Sequence, residues 1–301
     1  MWIEKLNELI LLPREQQFAA LQQLRAANKE AEYEAWNTAF GAASLYDAWT
    51  QLPFMQRLYR HNRAIIQRIL QERSNWHIVE IGGGNGALWQ NFFHTQQAGK
   101  LTLIDPHAEV HRTVAARLPE QVTLQSVVDR VEQVEIPEAD VIVCSLTLHH
   151  VAGLDAGQRR TFGFSGDGKK EILQRCVQSV RKRQGIGIIN EADCYNEIDL
   201  APEDPVLVDH FLDVYVRRAG RAIAYALEQP GLDEAQKPYW ESILRHWCLD
   251  QVDYALLSRA QRDVYELDVS HWLGLLETVG AYTVLHQYTD EWNLFQQYVF
   301  G

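Results

Sequence analysis

The stretch Val79-Glu80-Ile81-Gly82-Gly83-Gly84-Asn85-Gly86 puts a carboxylate two residues ahead of a glycine run, where an apolar segment gives way to a turn. Glycines reach positive φ angles and let a ligand approach the backbone closely. Asp105 ends the next apolar segment, Leu101-Thr102-Leu103-Ile104-Asp105, where a carboxylate can accept hydrogen bonds from both hydroxyls of a ribose. Two chemistries compete for this pattern. Gly82, Gly84 and Ala87 satisfy the dinucleotide fingerprint G-x-G-x-x-G/A, and Asp105 lies at about the right distance for an NAD ribose. Glu80 favours the other reading. Inside the strand it would repel a pyrophosphate, but it suits a ligand that carries an amino group and a sulfonium.

A second group of reactive side chains follows later. His149 and His150 come directly after the apolar run Ala139–Ser145 and the linking residues Leu146-Thr147-Leu148. Glu191 and Asp193 follow another apolar run, Gly185–Asn190. In open α/β folds ligands bind at the carboxyl ends of the strands, so these four are candidates to bind an acceptor or remove a proton. A histidine titrates near neutrality and suits that second task. Other chemistry is poorly represented. There is no H-E-x-x-H pattern and no P-loop, and Gly163-Phe164-Ser165-Gly166-Asp167 falls short of the G-x-S-x-G elbow. His94, His107 and His111 do not form a convincing ligand set; they are expected to be solvated surface residues, and no metal is expected.

The elements that must position these residues can be read from periodicity. Residues 1–75 predict a helical cap, with Ile3, Leu6 and Ile10, then Phe18, Leu21 and Leu24, at helical spacing, and a further helix through Tyr59–Leu70. From residue 76 strands and helices alternate. Strands are expected at 77–81, 101–105, 122–128, 139–144 and 185–191, with helices at about 86–97, 107–118 and 169–182. The 194–265 segment breaks the rhythm as a helical insertion, one helix through Leu207–Leu227 and one or two more between Pro238 and Tyr265. Residues 266–301 resume the alternation: a helix capped by Ser270 and ending at Gly280, then strands at 282–288 and 294–300. This pattern predicts an α/β fold with a doubly wound, largely parallel sheet over 76–193 and 266–301.

Composition narrows the partners. The net charge of −12 would repel a phosphate backbone, and the one dense basic cluster, Arg175–Arg183, falls in the last turns of a predicted helix, where the dipole favours cations. No nucleic-acid or membrane partner is expected. No apolar run approaches the roughly 20 residues that span a bilayer. The start lacks a secretory pattern, and the four cysteines are widely spaced, which suggests a reducing, cytoplasmic setting.

With these residues in view, the sequence resembles the class I S-adenosylmethionine (SAM)-dependent methyltransferase superfamily over 77–193 and 270–301. Glu80–Gly86 resembles its E/D-x-G-x-G-x-G loop, Asp105 its ribose-binding acid, and Ala139–Ser145 with Leu146–Val151 the fourth strand and "LHH" exit of many small-molecule members. The resemblance implies a seven-stranded sheet ending in an antiparallel hairpin, with SAM as cofactor. It implies that Glu80 supports the methionine part, that Gly82, Gly84, Gly86 and Ser145 line the cofactor, and that Asp129 lies near the adenine. The acceptor is then a small molecule, methylated on oxygen or nitrogen, with His149, His150 and Glu191 as candidate catalytic residues. Aromatics of the cap and insertion (Tyr46, Trp49, Tyr59, Tyr215, Tyr239, Trp240 and Trp247) are expected to contribute core and some pocket wall, the insertion acting as lid or dimer face. Two alternatives stay open: an NAD-dependent oxidoreductase, and a SAM-fold protein that uses the cofactor without methyl transfer.

Overall fold

The computed structural model describes residues 2–27, 49–93, 98–151, 166–194, 200–227, 252, 256 and 265–301. In chain order these form α1 (Trp2–Leu11), α2 (Arg14–Ala26), α3 (Pro53–Gln71), β1 (Trp76–Ile81), β2 (Gly99–Ile104), α4 (Ala108–Ala115), β3 (Val122–Val127), β4 (Val141–Ser145), α5 (Asp167–Lys182), β5 (Ile186–Ala192), α6 (Pro205–Phe211), α7 (Arg221–Leu227), α8 (Val269–Thr278), β6 (Leu285–Tyr288) and β7 (Phe295–Phe300). The helices expected between Pro238 and Tyr265, with Tyr46, Tyr239, Trp240 and Trp247, lie outside the described residues, as do residues 163–165 and the side chain of Tyr215.

The chain forms two compact units, one of residues 57–193, 264–289 and 295–301, the other of 1–56, 194–263 and 290–294. The first contains a seven-stranded sheet of order β3-β2-β1-β4-β5-β7-β6. Strands β1 to β5 pair in parallel, while β7 runs antiparallel to both β5 and β6. The fold is therefore the expected α/β sheet with a terminal antiparallel hairpin. β1 is buried along its whole length and β4 over Val141–Cys144, which explains why β4 reads as a continuous apolar run and β1 as an apolar run interrupted by His77 and Glu80. Because β1 and β4 are neighbours, their carboxyl ends meet, and the glycine loop and the Thr147–His150 segment leave the sheet side by side.

In the second unit, Asp204 caps α6 by accepting from the Val206 amide, with Pro205 at the first helical position. A π-helical stretch, Leu212–Gly220, joins α6 to α7, so the amphipathic helix expected from Leu207 to Leu227 is continuous but widened in its middle.

Three local expectations are corrected. Of the helix expected at 86–97, the described part, 86–93, carries a 3-10 turn at Ala87–Trp89 and a left-handed φ of 60° at Asn91; residues 94–97 lie outside the described residues. Burial of aromatics overrides helical spacing here: Phe93 stacks on Trp89 and on Trp76, each at 5.1 Å between centroids, and Phe92 meets Phe93 edge-on. Helix α8 is capped by Asp268, whose carboxylate accepts from the His271 amide; Ser270 sits one step inside and donates to that carboxylate. His111 is buried rather than solvated, with Nε2 hydrogen-bonded to the Asp105 carbonyl.

Candidate active site

The glycine loop begins where β1 ends. Gly82, Gly84 and Gly86 all have positive φ, at 77°, 51° and 70°. At Gly82 space matters as well as conformation, because a Cβ there would collide with the Thr147 side chain. Only glycine lets the loop and the β4 exit approach so closely. Asp105 ties the loop to β2: one carboxylate oxygen accepts from the Gly83 amide at 3.1 Å, the other from the His107 amide at 2.8 Å. An ionised carboxylate has about four lone-pair sites, so capacity remains for the hydroxyls of a ribose.

Glu80 is 4% exposed and, among the described residues, receives one hydrogen bond, from the Trp89 indole Nε1 at 2.6 Å. Burial pushes its pKa up to about 8; the Trp89 bond acts against this, and the Asp105 charge adds to it. A buried carboxyl with so few donors is well matched to a cationic group brought by a ligand. Trp89 is itself fixed by its aromatic neighbours. Arg63 of α3 adds a brace, donating to the Ala87 and Leu88 carbonyls of the same turn.

At the β4–β5 edge a second buried acid is arranged differently. Leu146, the first residue after β4, has φ 54°, a strained conformation for a leucine, and its amide is held by the Asn190 carbonyl at 2.8 Å. The bend delivers Thr147 and Leu148 to Glu191, whose Oε1 accepts from their amides at 3.1 and 2.7 Å. Its Oε2 meets His149 Nδ1 at 2.7 Å. Burial alone would lower the His149 pKa, but the charge and hydrogen bond of Glu191, with the charge of Glu266, outweigh it and raise the pKa above 6.5. The backbone carbonyl of His149 is anchored by the Tyr265 amide. With Nδ1 bound to the carboxylate, Nε2 is the nitrogen left to exchange a proton. His150 is exposed, its ring tilted against that of His149 at 4.2 Å.

Of the other expected residues, Ser145 ends β4 and accepts from Asn62 and Asn190. Asp129 is exposed after β3 and accepts from the Arg130 amide. Asp193 accepts from the Tyr288 hydroxyl. Tyr59 is buried core, and Trp49 packs edge-on against Phe54. The basic cluster is engaged with protein groups: Arg175 caps the Val131 and Val134 carbonyls, Arg181 the Gly280 carbonyl, and Arg183 pairs with Asp140. Among the described residues no group of His, Cys, Asp or Glu could hold a metal, and no helix is long and apolar enough to cross a membrane.

Sequence reasoning missed Trp89, Arg63 and Asn62. For Asn62 a signal existed. It interrupts the i, i+4 ladder Leu58-Asn62-Ile66-Leu70, all four of which are buried. A polar residue in such a stripe must be hydrogen-bonded inside the protein.

Comparison with known proteins now adds to the geometry. Residues 79–168 match the family model of a methyltransferase domain. No curated protein sequence matches the chain. Among solved structures the chain is similar to human N-acetylserotonin methyltransferase in complex with SAM, at 18% identity and TM-score 0.40, over 83% of this chain and 55% of that one. It is similar to the SAM-dependent methyltransferase SibL at 13% identity and TM-score 0.49, over 94% and 61%. The N-methyltransferase NodS from Bradyrhizobium japonicum WM9, in complex with S-adenosylhomocysteine, gives 11% identity and TM-score 0.42, over 83% and 88%. The chain thus spans less than two-thirds of the length of the first two.

The sheet order, with its antiparallel β7 inserted between β5 and β6, departs from the 3-2-1-4-5-6 order of dinucleotide-binding folds. With the buried acid ahead of the glycine loop, it agrees with the methyltransferase domain whose family model residues 79–168 match. The residues present would fit S-adenosylmethionine: an undersupplied buried acid for a cationic amino acid, glycine backbone for close approach, and Asp105 for the ribose.

Proposed function

We propose that this chain transfers a methyl group to a heteroatom, most suitably a hydroxyl oxygen, of a small organic molecule, with His149 as the base. The observation that carries the reading is the 2.7 Å pair between His149 Nδ1 and buried Glu191 at the carboxyl edge, beside the glycine loop. In this reading Glu80 faces the methionine part of the cofactor, Gly82, Gly84 and Gly86 admit its backbone contacts, Asp105 holds the ribose and Asp129 lies on the adenine side. The cofactor supplies an electrophilic methyl carbon. The protein's part is to align the acceptor and take its proton. His149 Nε2 would accept the proton of the acceptor O–H, while bound SAM would supply the methyl group to the oxygen and keep the leaving electron pair on its sulfur. Glu191 holds the ring and stabilises the imidazolium. A neutral amine needs no such base, which is why the pair favours a hydroxyl acceptor.

A small acceptor is supported by the charge of −12 and by a basic cluster already engaged with carbonyls and acids. The test is incubation with methyl-labelled SAM and a panel of phenols, alcohols and amines, with S-adenosylhomocysteine release as readout. The expected result is turnover of hydroxyl compounds whose rate climbs with pH through a value above 6.5, the His149 base form being populated only there. Glu191→Gln removes the anion that raises that pKa, so the acidic limb moves to lower pH. Cofactor binding without turnover of any acceptor would overturn the reading.

A further inference from the structure

Behind the β4 exit lies a chain of side-chain amides, running from exposed Gln287 inward, that the reaction above does not use. Gln287 Nε2 donates to Gln297 Oε1. Gln297 Nε2 donates to the side-chain oxygens of both Asn62, at 2.7 Å, and Asn190, at 3.1 Å. Those two amides in turn donate to Ser145 Oγ, at 3.1 and 2.9 Å. Asn62, Asn190 and Gln297 are each fully buried, so every amide atom among them has to be satisfied internally.

The direction of the chain is fixed by counting. Reversing the amides would turn two asparagine oxygens toward Ser145, and a hydroxyl has one hydrogen to offer two acceptors. One buried carbonyl would be left without a donor. In the observed direction all are satisfied, and both lone pairs of Ser145 Oγ are used by N–H groups. Its own hydrogen then has no acceptor among the described residues, and Ser145 is only half-buried. The hydroxyl is held as an obligate donor that faces outward.

What it donates to follows from register. Glu80 pairs with Val143, and Ser145 is two residues further along β4, so Glu80 and Ser145 project from the same face of adjacent strands. A ligand whose ammonium is drawn to Glu80 carries its α-carboxylate within reach of that strand end. We propose that Ser145 is a binding residue for the carboxylate of the cofactor's methionine part, and that Gln297, through Asn62 and Asn190, is the positioning residue that keeps its hydroxyl a donor. The inference rests on the cofactor placement proposed above and extends it to the anionic end of the amino acid.

Calorimetry with S-adenosylhomocysteine and with 5′-methylthioadenosine, which lacks the amino-acid portion, tests this without any acceptor. Ser145→Ala should weaken S-adenosylhomocysteine by about tenfold or more, the scale of a hydrogen bond to a charged group, and leave methylthioadenosine unchanged. Gln297→Met makes the sharper test. A thioether cannot donate, so the two asparagine oxygens lose their donor and at least one must turn to Ser145, whose hydrogen then points inward. The same selective loss is expected, and the double variant should lose no more than either single one. Unchanged S-adenosylhomocysteine affinity in Ser145→Ala would overturn the inference, and so would an equal loss for methylthioadenosine. Failure of the wild-type chain to bind S-adenosylhomocysteine would instead strike the cofactor placement itself.

Discussion

Glu80 and Glu191 are both carboxylates sunk into the carboxyl edge of one sheet, at 4% and 1% exposure, yet their surroundings differ sharply. Glu191 accepts three hydrogen bonds, two from backbone amides of the Leu148 turn and one from His149. Glu80 accepts one, from Trp89, and its pKa rises to about 8. A buried acid surrounded by donors is committed to the protein's own structure. One that is short of donors is held at a cost in stability and offers binding energy to a cation. On the proposed reading the contrast separates a positioning acid, Glu191, from a ligand-binding acid, Glu80, although both look alike in sequence.

The largest expected effect breaks the Glu191 side. His149→Asn should lower methyl transfer by roughly 10²- to 10⁴-fold, the range for loss of a positioned base, while S-adenosylhomocysteine affinity stays at the wild-type value. A parallel loss of cofactor affinity would erase the proposed division of labour.

Next comes the Glu80 side, where function and stability should move in opposite directions. An acid whose pKa is raised in the folded chain leaves stability intact below its ordinary value of 4.5 and erodes it as pH climbs toward 8. Glu80→Gln removes that penalty. It should stabilise the protein at pH 8 by about 1–3 kcal/mol, read from denaturant midpoints, with little effect at pH 4.5. The same variant should weaken S-adenosylhomocysteine about tenfold. A variant that is destabilised at pH 8 would show Glu80 to be an ordinary satisfied core acid.

The smallest effect is expected at Asp129, which is exposed and whose carboxylate, among the described residues, accepts from the Arg130 amide alone. Asp129→Ala should change cofactor affinity less than threefold, within the usual range of about 0.5 kcal/mol for surface substitutions. A larger loss in calorimetry would bring Asp129 into the adenine contacts.

These differences also mark what the sequence could and could not carry. The strands of the parallel core were legible where burial on both faces leaves an apolar run, as in β4 over Val141–Cys144. Glu80, the glycines and Asp105 stood out because a turn between strand and helix concentrates rare residue types in a few positions. His149 and Glu191 were legible as candidates, but not as a pair: they are 42 positions apart and meet only because Leu146 bends the β4 exit back over β5. Trp89 was hidden by its own neighbours. Trp89, Phe92 and Phe93 mimic the spacing of an amphipathic helix, whereas they form a compact aromatic cluster around a single 3-10 turn. The amide chain was harder still, since its buried members, Asn62, Asn190 and Gln297, come from α3, β5 and β7 and share nothing in sequence except being polar where apolar residues are usual.

The most direct measurement is calorimetric titration of the purified chain with SAM, S-adenosylhomocysteine and NAD side by side, repeated on Asp105→Ala. The account predicts binding of both adenosyl compounds, weakened by the substitution, and none of NAD. Binding of NAD alone would contradict it and assign the glycine loop to a dehydrogenase.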